Sequence, residues 1–81
     1  MKDLKEHCEA LGRVVEFHRK KSGLTQKGAA NLAGIGKAAV YDIEHGKPSV
    51  QFDTLLKLLW VLNIRVSYEG PLMQAYKKWK K

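Results

Sequence analysis

Leu4, Cys8, Leu11 and Val15, continued by His18, recur at intervals of four and three, the stripe of an amphipathic helix. This pattern predicts a first helix over residues 3–21, stopped by Ser22 and Gly23. Thr25 follows as an N-cap, and Ala29, Ala30, Leu32 and Ala33 supply a short second helix over Gln26 to Ala33. Gly34-Ile35-Gly36 interrupts it after two turns. Glycine provides the positive φ that a tight reversal needs, so a turn between two helices is expected rather than one long helix. Lys37 to His45 resumes the helical period with Val40 and Ile43 three apart, and Gly46 with Pro48 just beyond ends it. Ser49 or Val50 then opens a strongly apolar helix through Leu62, with Leu55, Leu56, Leu58 and Leu59, expected to be the centre of the core. Trp60 in that helix is read as core or as a dimer contact.

After Asn63 the period changes. Ile64, Val66 and Tyr68 alternate with Arg65, Ser67 and Glu69, the period of a strand. No second strand pattern occurs in the chain, and a lone strand leaves its backbone groups without partners. The same strand of a second copy, antiparallel across a two-fold axis, supplies them, so the pattern predicts a homodimer. Leu72, Ala75, Tyr76 and Trp79 are spaced for one face of a helix after Pro71. The chain thus divides into a helical domain over 1–63, a dimerising strand over 64–69 and a basic tail over 70–81.

At 81 residues, 44% hydrophobic and 28% charged, this is one small folded domain. So short a chain has few apolar residues to spare for a deep catalytic cavity, and binding to an outer surface suits it better. No nucleophile with its base and no paired carboxylates are visible: Asp42 and Glu44 lie two apart and face different directions. An enzyme is not expected, nor a cofactor. His7 and Cys8 are adjacent on different helix faces, so no metal is expected either, and Cys8 on the apolar stripe is read as core. The stretch Leu55 to Leu62 contains Lys57 and falls far short of the roughly 20 residues of a membrane span. With no secretory leader pattern and a single cysteine, a cytoplasmic protein, nucleoid-associated in a bacterium, is expected.

The net charge of +7 sits in two places. Residues 17–48 carry Arg19, Lys20, Lys21, Lys27, Lys37 and Lys47 against Asp42 and Glu44, and the last eleven residues carry Lys77, Lys78, Lys80 and Lys81 with no acid. The remaining segments are nearly neutral. A polyanion should therefore meet the middle of the chain, the tail, or both. The first surplus coincides with short helix, glycine turn and short helix, the helix-turn-helix pattern of DNA-binding domains. The tail admits three readings: a solvated end, a binder of DNA phosphates, or a segment that orders on a protein partner.

Runs of residues carry a family resemblance. Arg19-Lys20-Lys21-Ser22-Gly23-Leu24-Thr25-Gln26, then Ala30, Leu32-Ala33-Gly34-Ile35, Val40, Ile43-Glu44-His45-Gly46-Lys47 and Asp53-Thr54-Leu55-Leu56-Lys57-Leu58-Leu59 resemble the Cro/cI (Xre-type) helix-turn-helix family over residues 11–63. The strand pattern right after the last helix is more narrowly similar to HipB-type antitoxins, whose strand pairs across the dimer. The resemblance implies a mainly α fold: a lambda-repressor-like bundle of four to five helices with one C-terminal β-strand pairing across a homodimer. It implies a transcriptional repressor that binds a palindromic double-stranded DNA operator and, in the HipB type, neutralises a HipA-like kinase toxin. The alternatives are a stand-alone Xre-type regulator and, from another class, a protein–protein adaptor without DNA binding.

The resemblance also assigns residues. Residues 37–45 match the recognition helix. Val40 and Ile43 should face the core, which leaves Gly36, Lys37, Ala38, Tyr41 and Asp42 on the exposed side. Lys37 is placed to donate to guanine, Ala38 to touch a thymine methyl, and Asp42 either to accept from cytosine or to hold Lys37. Tyr41 reads a base or packs on the sugar-phosphate backbone. Thr25, Gln26, Gly36, His45 and Lys47 match phosphate-contacting positions, and Gln26 also braces the recognition helix. Arg19 and Glu44 match a structural ion pair. Ile64, Val66 and Tyr68 are the dimer strand. Ala38 and Ala39 bring no hydrogen-bonding side chains, so specificity rests on Lys37, Asp42 and DNA shape.

Overall fold

The computed structural model describes residues 2–79; Lys80 and Lys81, half of the basic tail surplus, lie outside the described residues, as does Met1. Among the described residues there are five helices: α1 (Lys2–Lys21), α2 (Gln26–Ala33), α3 (Lys37–Glu44), α4 (Phe52–Val61) and α5 (Met73–Lys78). The first four enclose one core of Val15, Ala29, Ala30, Val40, Ile43, Leu58, Leu59 and Leu62. None of the five is long and apolar enough to cross a membrane.

The short helices begin and end where local chemistry directs. The Thr25 hydroxyl oxygen accepts the Gly28 N–H at 2.9 Å and opens α2. Gly34, at φ 69°, closes it with its N–H turned back to Ala30 and Asn31 carbonyls. Gly36 opens α3 from an extended backbone with no side-chain cap. Helix α3 ends at Glu44, with His45 as its cap, one residue before the sequence expectation. Helix α4 starts at Phe52 after Gln51, rather than at Ser49 or Val50. Val50 instead packs half-buried on the core as the chain approaches.

Two expectations need correction. The core stripe of α1 starts at Leu11 and Val15: Leu4 is 48% exposed and Cys8, expected in the core, is half-buried outside the core cluster. Trp60, read as core or as a dimer contact, is not core: it is 82% exposed, being four residues from Leu56 and eight from Phe52 on the outer face of α4. Residues 64–69 form no strand in the single chain. Ile64 still bonds through its N–H to the Leu59 carbonyl at 2.9 Å and packs against the core, but residues 65–69 make no backbone–backbone hydrogen bond. A ladder needs a second edge, and these residues are offered none within their own chain.

Gly12 belongs to no apolar pattern, yet it sits at the closest approach between α1 and α3. A Cβ there would lie 2.5 Å from the Ile43 carbonyl oxygen and 2.6 Å from that of Glu44. Gly46, at φ 77°, meets the same stretch of α1 from the far side of the α3 terminus, its Cβ position 3.0 Å from Glu9 Cα.

Beside Gly12 the two helices are joined by buried charge. Arg19 Nε donates to Glu44 Oε2, Nη2 donates to Oε1 at 3.0 Å, and Nη1 donates to the Leu24 carbonyl at 2.9 Å. The Gln26 side-chain amide donates to the same Oε1 at 3.1 Å. One carboxylate thus ties α1, α2 and α3. Burial pushes the Glu44 carboxyl up, but the hydrogen bonds from Arg19 and Gln26 and the nearby cations outweigh it and hold the group below its ordinary value.

A carboxyl lowered in the folded state stabilises fully above its unfolded value, and that stabilisation is lost as pH falls through the folded one. Urea midpoints between neutral and acid pH should therefore show an acid limb that Glu44→Gln removes. At neutral pH Glu44→Gln should cost about 3–5 kcal/mol, since it strands the Arg19 guanidinium, whereas Arg19→Met combined with Glu44→Leu should cost less than either single change. Gly12→Ala, which drives a methyl into carbonyl oxygens, should lose about 1–3 kcal/mol in the same measurement.

Candidate nucleic-acid interface

Because Val40 and Ile43 are buried at 0% and 4%, the opposite side of α3 faces water. Lys37, Ala38 and Tyr41 are exposed on it, with Gly36 before them and Asp42 half-buried at its edge. The first turn of α3 presents backbone N–H groups that no side chain caps, together with the Lys37 ammonium. That end of the helix is bare, small and positive. Ala38 keeps it narrow enough for a close approach to a flat polyanion.

The other end of α3 is already engaged. Asp42 does not hold Lys37; its Oδ2 lies 3.5 Å from Lys47 Nζ. Lys37 and Asp42 are five residues apart and so do not share a helix face. Lys47 is instead folded back over the end of α3 by its N–H, which donates to the Asp42 carbonyl at 2.9 Å. The Tyr41 and His45 rings, one turn apart, stack with centroids at 3.9 Å and 21° between planes. His45 Nδ1 carries its proton to the Tyr41 carbonyl at 2.8 Å. Its other ring nitrogen can therefore donate to a phosphate only when the imidazole is protonated.

At the start of α2, Thr25 uses its hydroxyl oxygen as an acceptor and keeps the O–H to donate outward. Gln26 spends one amide hydrogen on Glu44 and retains the other. The brace expected of Gln26 is thus present. Arg19, with its guanidinium committed to Glu44 and Leu24, contributes nothing to the surface. The structure adds residues that the sequence reading passed over. Ser49, Gln51 and Thr54 line a shallow cleft between α3 and the start of α4, with Ala39, Asp42, Lys47 and Val50 completing it. Three hydrogen-bonding side chains clustered at the head of an otherwise apolar helix were the available signal. Of the strand residues, Ile64 is half-buried on the core, while Val66 and Tyr68 are 48% and 72% exposed, away from the α3 face in sequence and attached instead to the end of α4.

A bare, positive helix start held at a fixed angle beside a second helix is the geometry of a groove reader, and comparison with known sequences agrees. The helix-turn-helix family profile matches residues 17–68. An uncharacterized HTH-type transcriptional regulator, y4mF, of Sinorhizobium fredii (strain NBRC 101917 / NGR234) is 33% identical over 61 residues, which are 75% of this chain and 80% of that protein. The matched span runs from the last turn of α1 through α4 and into the segment beyond it. The chain belongs to the Cro/cI-type helix-turn-helix family, whose members bind DNA to regulate transcription.

Proposed function

We propose that the chain is a repressor that binds a palindromic operator as a homodimer, with the start of α3 in the major groove. The observation that carries this reading is the exposed Lys37–Ala38–Tyr41 face on a helix locked by the buried Arg19–Glu44–Gln26 bonds. Lys37 reads guanine and Ala38 a thymine methyl. The Tyr41–His45 stack lies along the sugar-phosphate backbone. Thr25, Gln26, the Gly36 end of α3, His45 and Lys47 hold phosphates. Asp42 serves first to aim Lys47 and accepts from cytosine only at its free edge. The S. fredii relative's description as a transcriptional regulator supports the same role here.

The HipB-type antitoxin role is the finer part of the proposal. It is supported by the alternation of Ile64, Val66 and Tyr68 in a segment whose backbone is unbonded within the chain, suited to pairing with its copy. On this reading residues 1–63 read DNA, 64–69 dimerise, and a HipA-like kinase toxin is the protein partner. Two-fold symmetry sets half-sites about one turn of B-DNA, roughly 34 Å, or a small multiple apart.

Selection from a pool of random duplexes should enrich a palindrome, bound with a log–log salt slope of several units; no enrichment with salt-independent binding would establish the adaptor instead. Against the enriched site, Lys37→Ala should weaken binding and relax preference at one base step, by about 1–3 kcal/mol, while Lys47→Ala should weaken all duplexes alike. Equal loss of selectivity in both overturns these assignments. Val66→Pro removes a ladder donor and should sediment as a monomer at micromolar concentration. Co-expression with the product of a neighbouring kinase-like reading frame tests the antitoxin role, a stable complex being expected.

A further inference from the structure

Two apolar surfaces lie uncovered on either side of the extended segment. On one side the outer face of α4 exposes Phe52 at 72%, Leu56 at 37% and Trp60 at 82%, at intervals of four. Its C-terminal half borders an open groove floored by Leu59, Ile64 and Val66. On the other side, α5 has no buried residue; Leu72 is 76% and Tyr76 59% exposed, and the core includes nothing beyond Ile64. A helix of six residues has little stability of its own in water, and its Tyr76 ring meets Trp79 of the same segment with centroids at 6.3 Å.

We infer that α5 of each copy docks in the α4 groove of the other. The inference rests on the strand-paired dimer proposed above and follows from its direction. In an antiparallel pair the last residues of one strand lie beside the first residues of its partner. Glu69 of one copy therefore ends beside Asn63 and Ile64 of the other, at the mouth of the partner groove. The turn at Gly70 to Met73, closed by a 3.1 Å backbone bond, then delivers Leu72 and Tyr76 onto Trp60 of the second copy. Area points the same way. A stable dimer needs on the order of 800 Å² per partner, more than a six-residue strand offers. Trp60 and Tyr76 at roughly 150–250 Å² each, with Leu56, Val66 and Leu72, add to the strand and bring each copy toward that size.

The test uses full-length chains in a Cys8→Ser background, carrying Asn63→Cys with one affinity tag and Ala75→Cys with another. Mixed and treated with a short bis-maleimide, they should yield a product bearing both tags. In a Trp79→Phe chain, Trp60 is the sole tryptophan, and its emission should shift to the blue as the dimer forms. Leu72→Ser with Tyr76→Ser, which alters no core residue, should abolish that shift and raise the dimer dissociation constant roughly tenfold or more. A dimer without the two-tag product, or with unshifted Trp60 emission, overturns the exchange of α5 and leaves the strand-paired dimer standing. Cross-linking within one Asn63→Cys/Ala75→Cys chain also overturns it. A chain monomeric at every concentration overturns both readings.

Discussion

A guanidinium and a carboxylate withdrawn from water set the angle at which α3 meets the rest of the molecule. Helices of eight residues do not persist on their own, so α2 and α3 owe their existence to packing and their mutual orientation to something more directional than apolar contact. The Arg19 fork supplies it. Two of its nitrogens take both oxygens of Glu44 while a third reaches the Leu24 carbonyl, a planar geometry that a lysine cannot reproduce. Such a pair adds little net stability after desolvation; its contribution is to leave one arrangement with every buried side-chain donor and acceptor satisfied among the described residues.

That arrangement requires α1 to come within contact of the α3 backbone, which is why a glycine stands at position 12 and another, with positive φ, at position 46. The consequence appears on the outer face. With the C-terminal end of α3 pinned from below, Tyr41, His45, Asp42 and Lys47 bond among themselves above it, and only the first turn stays open. A reader built this way has few side chains for direct base contact. On the proposed reading Lys37 is the principal one, and much of the discrimination comes from how readily DNA bends to meet the groups proposed to hold phosphates around it.

The rest of the surface is governed by size. A domain of 81 residues buries a modest fraction of its chain, and here the shortfall is not spread evenly. Leu4, Val14 and Phe17 on α1 and Leu32 on α2 are exposed, but most of the exposed large apolar side chains lie on the outer side of α4 and along the segment through α5. The positive helix start and these exposed apolar faces thus lie on different elements, the segregation that the proposed two-fold dimer calls for.

How much was legible beforehand follows from what each pattern depends on. Helical periodicity, glycine stops and the Thr25 cap are local, and they located the first four helices to within a few residues, while the tail was left open between a helix and a solvated end; Val40 and Ile43 fell on the buried side for the same reason. The Arg19–Glu44 pairing, 25 residues apart, came from resemblance rather than from any spacing. Trp60, left open between core and dimer contact, shows the limit of periodicity, since a helix with leucines nearly all round does not say which face is inside. Gly12 was invisible because its role is to have no side chain at a contact made by a distant segment. The Asp42–Lys47 pair and the Ser49, Gln51 and Thr54 cleft depend on how the chain turns after α3. The sequence by itself determined the four helices of the bundle, the location of the positive charge and the family. Only the tertiary structure decided which faces were buried and which charges were spent, because burial and pairing are properties of segments brought together across the chain and not of the order in which residues follow one another.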